Sequence, residues 1–359
     1  MNAQVKKIDF KNQNIYVGFD AHSKDWKVTI MAENMVFKTF TQPPKPEILF
    51  NYLKNNFPGC NYHTAYEAGF CGYWIHHKLE SFGINSIVVN PADIPTTNKE
   101  HVQKEDKRDS RKIARSLSSG TLVPIYIPTL QAQRDRSLTR TRSMLVKDLT
   151  RYKNRIKGFL YFYGISINES FSNPQSHWSN RFMSWLESLE IDRASGKEAL
   201  NVLILECKNL RASILKVTKQ IRSLSNTEKY KQNVALLKSV PGVGSTTAMT
   251  FLTELESVNR FNNVDKLCGY IGLIPSTKSS GEKEKTGEIT PRGHSVLRSA
   301  IIESSWVAIR NDPVLIKAYL SYTKRMKSNR AIIKIAKKLL SRIRYVLLTQ
   351  KPYVCLIEK

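Results

Sequence analysis

One short apolar run, residues 15–20, reads Ile15-Tyr16-Val17-Gly18-Phe19-Asp20 and ends in a carboxylate. A run of this length and composition predicts a buried β-strand, so that Asp20 stands where the strand ends. A second β-rich run, His63-Thr64-Ala65-Tyr66-Glu67, also ends in an acidic residue. Carboxylates at the ends of neighbouring strands can converge on hard divalent cations, which prefer oxygen ligands. The two runs therefore predict a sheet with a metal-binding edge.

Two further acids lie in Lys104-Glu105-Asp106-Lys107-Arg108-Asp109, where a helix is predicted to begin. Asp106 and Asp109 stand three residues apart, which places them on one helical face. Two divalent ions about 4 Å apart can clamp a phosphodiester during displacement. The set Asp20, Glu67, Asp106 and Asp109 therefore predicts a site for Mg²⁺ or Mn²⁺ that acts on phosphodiesters.

The charge of the chain is strongly and unevenly positive. The sequence holds 56 Lys and Arg against 30 Asp and Glu, a formal net charge of +26. Residues 1–128 contribute 16 basic and 12 acidic side chains, whereas the rest of the chain contributes 40 and 18. Such an excess is commonly used to bind a polyphosphate, which releases its counterions. We expect a nucleic-acid-binding surface mostly beyond residue 128; the alternative is a basic protein whose charges are only solvated.

The five cysteines and the apolar segments bear on where the chain works. The cysteines form no CxxC pair and no Cys/His spacing typical of zinc, which fits free thiols in a reducing cytoplasm. A polar segment follows Met1, and no stretch approaches 18 uninterrupted apolar residues. Secretion and membrane insertion are therefore not expected.

Residues 1–128 are predicted to form one α/β domain. Three strand-like runs come first and are followed by alternating helices and strands, which indicates a layered fold with a mixed sheet. The predicted strands are 14–20, 26–31, 35–40, 61–67 and 86–90, and the predicted helices are 45–56, 72–83 and 107–118.

Residues 129–228 are predicted to form a basic stalk of two long helices. Apolar residues recur from Leu138 to Tyr163 and from Leu203 to Leu224 at coiled-coil spacing, and a Ser- and Asn-rich segment separates the two seams. The helices are therefore expected to pair as an antiparallel coiled coil that also serves dimerisation. The first helix carries nine Lys and Arg against two Asp, which favours nucleic-acid contact over a merely solvated face. Its binding residues are predicted to include Arg140, Arg142, Arg151 and Arg155.

Residues 229–359 are predicted to form an all-α domain. A helix interrupted by Pro241-Gly242-Val243-Gly244 and resumed with small residues is typical of a helix-hairpin-helix. Gly242 and Gly244 would let the backbone approach a phosphate at the amino terminus of the second helix. Further along, Thr290 and Pro291 are predicted to begin a new helix.

A polar loop lies between these two features. It contains Ser279 and Ser280 with Lys278 and Lys283 around them. A serine hydroxyl is a poor nucleophile unless metal ions or neighbouring cations activate it. On composition alone the segment is a flexible basic loop.

Taken in order, these motifs resemble a known family, and the match covers nearly the whole chain. The chain resembles the transposases of the bacterial insertion-sequence one-ten family, also called DEDD transposases, which include the pilin-gene invertases. The family stretch K-x-D-x-x-D-A stands here at 104–110, with Ser110 in place of the common Ala. The family motifs P-G-[IV]-G, G-L-x-P, S-G-G-K and a K-R-G-N-like segment stand here at 241–244, 272–275, 280–283 and 291–294, with Glu282 in place of the second Gly.

The resemblance implies a RuvC-like, RNase H-like first domain and a recombinase that cuts DNA with both a metal centre and a serine. It implies that Ser280 is the nucleophile, with Ser279 in reserve, and that Asp20, Glu67, Asp106 and Asp109 hold the metal. It also implies a structured non-coding guide RNA that pairs with donor and target DNA, while protein cations follow the backbone. We expect a bacterial, nucleoid-associated homo-oligomer, a dimer or tetramer, whose acids and serine meet within one protomer or between two. The predicted nucleic-acid-binding residues are Arg140, Arg142, Arg151, Arg155, Gly242, Gly244, Lys278, Lys283 and Arg292.

Two other functions share parts of this pattern. A Holliday-junction resolvase or RNase H-like nuclease would use the same acids with metal-activated water, and Ser280 would be incidental. A non-catalytic RNA-binding scaffold would rely on the coiled coil and basic helices and would not need the acids.

Overall fold

The computed structural model describes residues 11–32, 35–95, 106–280 and 283–355, with side chains described except at 106–108, 277–280 and 283–286. The chain divides into two compact units, Met1–Ile127 and Pro128–Lys359. The boundary lies one residue from the predicted end of the α/β domain. The predicted stalk helices and the carboxy-terminal helices belong to the same second unit. Within the described ranges, no helix is long and apolar enough to cross a membrane.

The first unit is built on a mixed five-stranded sheet in the order β3-β2-β1-β4-β5. β1 pairs antiparallel with β2 and parallel with β4, and β5 extends the parallel half. The predicted mixed sheet is therefore confirmed. The strands are β1 Asn14–Ala21, β2 Trp26–Ala32, β3 Met35–Gln42, β4 Asn61–Glu67 and β5 Asn85–Val89.

Aromatic side chains from three adjacent strands hold the centre of this sheet together. Phe19 stacks on Trp26 with ring centroids 4.9 Å apart and on Tyr66 at 5.1 Å, and all three rings are buried. Stacked rings of this kind stabilise beyond their burial. They fix the strand ends next to Asp20 and Glu67. The helices of this unit are α1 Pro46–Asn56, α2 Trp74–Ser81 and α3 Asp106–Ser118.

The second unit opens with a pair of long helices, α4 (Leu130–Phe162) and α6 (Ala194–Ser225). Arg142 Nε of α4 donates to Thr218 Oγ1 near the end of α6 at 2.9 Å. The opposite end of α4 shares a buried apolar cluster with the beginning of α6. The two helices therefore run antiparallel. The remaining helices are α5 Asn180–Ser188, α7 Glu228–Lys238, α8 Ser245–Leu255, α9 Val264–Ile271, α10 Ser295–Asn311, α11 Pro313–Thr323 and α12 Ser328–Thr349.

The carboxy-terminal region is helical as predicted but not all-α. Strands β6 (Pro275–Ser280) and β7 (Lys283–Ile289) pair antiparallel, and Ser280 stands opposite Lys283. The segment predicted as a flexible loop thus contains a hairpin.

The helix predicted to begin at Thr290 begins instead at Ser295. Thr290 N donates to Ile274 O at 2.9 Å, so its backbone is still part of the base of the hairpin. His294 is the N-cap, because its Nδ1 accepts a hydrogen bond from Leu297 N at 3.3 Å. A histidine is a less common cap than threonine, which is why the sequence pattern pointed to the wrong residue.

Candidate functional site

The first two predicted metal ligands lie side by side at the end of adjacent parallel strands. The β1–β4 register runs to the pair Phe19 and Tyr66, and Asp20 and Glu67 are the next residue on each strand. Both are half-buried, and the Asp20 side chain is 22% exposed. The sheet therefore brings these two carboxylates to one edge.

Neighbouring groups fix the backbone and the side chains at this edge. His22 Nε2 lies 3.0 Å from Asp20 Oδ2. The Tyr66 hydroxyl donates to Gly72 O and accepts from His76 N, each at 3.2 Å. Burial raises the pKa of Tyr66 above its ordinary value, so its hydroxyl stays protonated as a donor. The strand end that carries Glu67 is thus tied to the loop that follows it.

Helix α3 lies directly on β1, and Gly18 is the reason. A Cβ at Gly18 would stand 2.2 Å from Ala114 N and 2.5 Å from Ser110 O, so only glycine permits this approach. The Ser110 hydroxyl, fully buried, is 2.9 Å from Thr29 Oγ1 of β2. The beginning of α3 is thereby clamped over the sheet, and half-buried Asp109 precedes Ser110.

The donor chemistry at this edge fits a hard divalent cation. Asp20, Glu67 and Asp109 offer carboxylate oxygens, and two of them come from adjoining strands. Among the described side chains, no three His, Cys, Asp or Glu residues are close enough to hold one ion. Asp106 opens α3, but its side chain lies outside the described part. The complete four-acid set remains a prediction.

The predicted nucleophile lies at the end of β6. Ser280 pairs with Lys283 and Ser279 with Glu284, while the side chains from 277 to 280 lie outside the described part. Lys278 faces Lys285 in the register. The lysines predicted to contact nucleic acid thus lie on the two strands of the hairpin, Lys278 on β6 and Lys283 on β7.

A single arginine fastens the base of this hairpin to α10. Arg298 donates to Ile271 O at 3.2 Å, Thr290 O at 2.8 Å and Arg292 O at 3.0 Å. Three charge-assisted bonds to backbone carbonyls from both sides of the hairpin make its base rigid. The sequence analysis did not single out Arg298. Arg292, which the sequence predicted to bind nucleic acid, is exposed on the loop before α10.

The two glycines of the Pro-Gly-Val-Gly turn have different surroundings. Gly242 has a φ of +83°, and a Cβ there would meet Ser304 O at 2.2 Å. This glycine is required by close packing on α10, which the phosphate-binding interpretation did not foresee. Gly244 precedes α8 as its N-cap, and nothing lies within 4 Å of the position of a Cβ. Space for an approaching phosphate is therefore present at Gly244.

The predicted binding arginines of α4 differ in their contacts. Arg142 is bonded to Thr218 within the helix pair. Arg151 donates to Asp148 Oδ1 at 2.7 Å, and the Arg155 guanidinium lies 4.7 Å from the centre of the Tyr152 ring. Arg151 and Arg155 are both exposed, so these surface contacts leave them accessible to a polyanion.

Arg140 belongs to a buried ionic cluster that the sequence analysis missed. Its Nε and one terminal nitrogen donate to Glu254 Oε1 at 2.7 Å and Oε2 at 2.9 Å. Arg136 lies 3.4 Å from Glu254 Oε2, and His294 Nε2 lies 3.1 Å from the same oxygen. Burial alone would raise the pKa of Glu254, but the hydrogen bonds from His294 and Arg140 and the charge of Arg140 outweigh it and lower the pKa to about 2.

One signal in the sequence points to this cluster. Glu254 is the only charged residue of α8, whose other members are apolar, Ser or Thr. A carboxylate inside such a buried helix needs partners of opposite charge. The structure supplies them from α4 and from the loop before α10.

Two family models match the chain. Residues 17–165 match the DEDD transposase model of the IS110 type. Residues 234–320 match the model described as the transposase IS116/IS110/IS902 family. The first match spans the strands that carry Asp20 and Glu67, and the second spans the β6–β7 hairpin, which contains Ser279 and Ser280.

Individual relatives agree with the models. A putative transposase of Sinorhizobium fredii is 29% identical over 67% of this chain and 57% of that protein. The transposase for insertion sequence element IS1111A of Coxiella burnetii is 26% identical over 80% of this chain and 78% of that protein. The pilin gene-inverting protein of Moraxella bovis is 28% identical over 52% of this chain and 63% of that protein. The chain thus spans less than two thirds of the first and third of these relatives.

Proposed function

The chain belongs to the IS116/IS110/IS902 family of transposases with a DEDD domain, and from this premise we propose that it is a DNA recombinase that cuts and rejoins strands for a bacterial insertion sequence. The observation that carries the proposal is the position of two carboxylates at one edge of the sheet. Asp20 and Glu67 follow the last paired residues of parallel strands, and Gly18 seats the helix of Asp109 beside them. The partners are donor and target DNA.

The acidic edge serves phosphodiester chemistry. A DEDD transposase domain implies the use of divalent metal. Asp20, Glu67, Asp106 and Asp109 would hold Mg²⁺ or Mn²⁺, which supplies positive charge to the transferring phosphate. The half-burial of Asp20, Glu67 and Asp109 limits competing water, and the clamp between Ser110 and Thr29 holds the beginning of α3 on the sheet.

Ser280 is the proposed nucleophile, with Ser279 in reserve. Its hydroxyl oxygen forms a bond to phosphorus as the bond from phosphorus to one deoxyribose oxygen breaks. The hydroxyl loses a proton, and the departing oxygen gains one. Attack by a new strand's hydroxyl on the phosphoserine reverses the exchange, so that no nucleotide cofactor is consumed.

The remaining proposals concern partners and assembly. Exposed cations on α4 would follow the backbone of a structured guide RNA and of DNA. Gly244, at the amino terminus of α8, would receive a phosphate in helix-hairpin-helix fashion. The helix pair would act as a coiled coil that joins protomers into a dimer or tetramer. Exposed Val202, Leu205 and Leu215 on α6 support self-association. The protein would work at the bacterial nucleoid.

The acidic site is tested by neutralising each carboxylate with little change of shape. Asp20→Asn, Glu67→Gln and Asp109→Asn should each abolish recombination of an element-carrying plasmid and leave nucleic-acid binding within about twofold, because only cation coordination is lost. Asp25→Asn is the matched control, since Asp25 lies in the connection that follows β1 and contacts Lys27. Normal recombination by two of the three acid variants would contradict the assignment and favour a non-catalytic RNA-binding scaffold.

A further inference from the structure

A groove of about 430 Å³ lies beside the buried Glu254 cluster. Its walls come from α4 and from the loop that opens α10. They include Arg140, Ser143, Lys147, Gly293, His294 and Ser295. Basic, hydroxyl and apolar side chains face one concave space, and no acidic side chain is among the described residues that line it.

The groove has a positive and organised floor. Glu254 is fully buried, yet Arg140, which it binds through two nitrogens, keeps 49% of its side chain exposed. Two guanidinium groups, from Arg136 and Arg140, face this one carboxylate, so the cluster keeps a net positive charge. Lys147 is exposed at the wall and adds a further cation. Glu254 thus orients a cation toward the groove without cancelling the attraction for an anion.

His294 is held in a single orientation by the same carboxylate. Its Nδ1 accepts from Leu297 N, so the ring hydrogen is on Nε2 and is donated to Glu254 Oε2 at 3.1 Å. The beginning of α10 and the guanidinium of Arg140 are therefore fixed relative to each other through Glu254. Preorganised donors of this kind are what tight binding of a tetrahedral oxyanion requires.

We propose that this groove binds one backbone phosphate of the nucleic acid on which the protein acts, with Arg140 and Lys147 as contacting cations and Glu254 as a positioning residue. Glu254 holds the Nε edge of the Arg140 guanidinium, so the outer edge, with the other terminal nitrogen, would donate to the phosphate oxygens, and Lys147 supplies a point charge. The hydroxyls of Ser143 and Ser295 lie in the same groove as further donors. The inference rests on the proposed function for the identity of the polymer.

The contact at Lys147 is tested by the salt dependence of binding. Full-length protein is titrated with a short random-sequence DNA duplex and with a single-stranded RNA of equal length, in EDTA so that no cleavage occurs. Lys147→Ala should lower the slope of log affinity against log salt by about 0.9 for the duplex or about 0.7 for the single strand. The titration in which the slope falls shows whether the groove binds duplex DNA or single-stranded RNA. Lys231→Ala, an exposed lysine of α7, is the matched control.

Unchanged slopes in both arms for Lys147→Ala, or equal losses for Lys231→Ala, would overturn the proposal. Because this assay measures binding without metal, its failure leaves the acid-variant recombination test untouched. Failure of the acid variants likewise leaves the groove measurement interpretable.

The positioning role of Glu254 is tested by the sign of the effect. Glu254→Gln removes a negative charge, so a purely electrostatic account expects tighter binding. If Glu254 instead positions Arg140, the variant should bind nucleic acid about tenfold more weakly, because the guanidinium of Arg140 loses its fixed orientation. Near-ultraviolet circular dichroism confirms that the variant is folded. If Glu254→Gln does not fold, Arg140→Lys serves in its place. This variant keeps the positive charge but loses the two-point bond to Glu254, so it should weaken binding in the same way. Tighter binding by folded Glu254→Gln, or unchanged binding by Arg140→Lys, would contradict the positioning role.

Discussion

Asp20 and Glu254 show how surroundings decide what a carboxylate can do. Asp20 is part-exposed at a strand end, and His22 Nε2 lies 3.0 Å from its Oδ2. A group in this position can exchange a weak contact for a cation. Glu254 is fully buried with donors from three side chains, so it is committed to holding those side chains in place. The surroundings of Asp20 therefore suit cation binding, whereas those of Glu254 suit the positioning of neighbouring side chains.

The buried state of Glu254 predicts a pH-dependent contribution to stability. The folded pKa of about 2 lies below the ordinary value of 4.5, so the contribution is complete above pH 4.5 and is lost as the pH falls toward 2. A shift of this size corresponds to about 3 kcal/mol. Urea unfolding should show Glu254→Gln less stable than the native protein by about that amount at pH 7, and by roughly half as much at pH 3. An equal difference at the two pH values would mean that the charge of Glu254 is not responsible.

The turn glycines provide a matched pair of variants. Gly242→Ala combines a positive φ with a Cβ 2.2 Å from Ser304 O and should lower the free energy of unfolding by about 3 kcal/mol or more. Gly244→Ala meets no atom within 4 Å and should cost about 1 kcal/mol through a poorer N-cap. Chemical denaturation of both variants measures the difference. Similar costs would show that Gly242 does not pack on α10 as described.

At the scale of elements, the seat of α3 on β1 decides whether the acidic edge is assembled. The helix is held by the absence of a side chain at Gly18 and by a hydroxyl bond between Ser110 and Thr29. Thr29 Oγ1 also lies 3.1 Å from Thr39 Oγ1. The close approach is a steric condition, whereas the hydroxyl bond adds a modest increment.

These two contributions predict very different variants. Gly18→Ala should displace α3, lower the free energy of unfolding by several kcal/mol and abolish Mn²⁺ binding measured by calorimetry. Ser110→Ala, which introduces the residue common at this position in the family, should lower the free energy of unfolding by about 1 kcal/mol and keep Mn²⁺ binding. Retained Mn²⁺ affinity in a folded Gly18→Ala variant would contradict the role given to this helix.

The elements also show what the sequence could and could not predict. Apolar runs ending in Asp20 and Glu67 located the strands to within two residues, because burial on a sheet imposes a local pattern. The β6–β7 hairpin was missed, because its polar strands lack an apolar alternation. The beginning of α10 was misplaced, because Arg298 and Ile274 hold Thr290 in the hairpin through contacts distant in sequence.

At the scale of the whole molecule, charge is divided between the two units. The predicted metal-binding acids lie in the nearly neutral first part, and the β6–β7 hairpin, the basic helices and the proposed phosphate groove lie in the strongly basic second part. Composition predicted this division directly, since counting charges needs no structure. The Glu254 cluster was not predictable in this way, because it joins α4, α8 and the loop before α10, which only the tertiary fold brings together.

The central claim, a recombinase with a serine nucleophile supported by metal-binding acids, is tested most directly by looking for DNA bound covalently to the protein. Nicked suicide substrates are incubated with Mg²⁺ and the native protein, Ser279→Ala, Ser280→Ala or Asp20→Asn, and the products are resolved on denaturing gels. We predict an adduct with the native protein and Ser279→Ala, and none with Ser280→Ala or Asp20→Asn. An adduct that survives Ser280→Ala but not Ser279→Ala would move the nucleophile by one residue. Cleavage by every serine variant without any adduct would contradict the account and favour a water-driven resolvase.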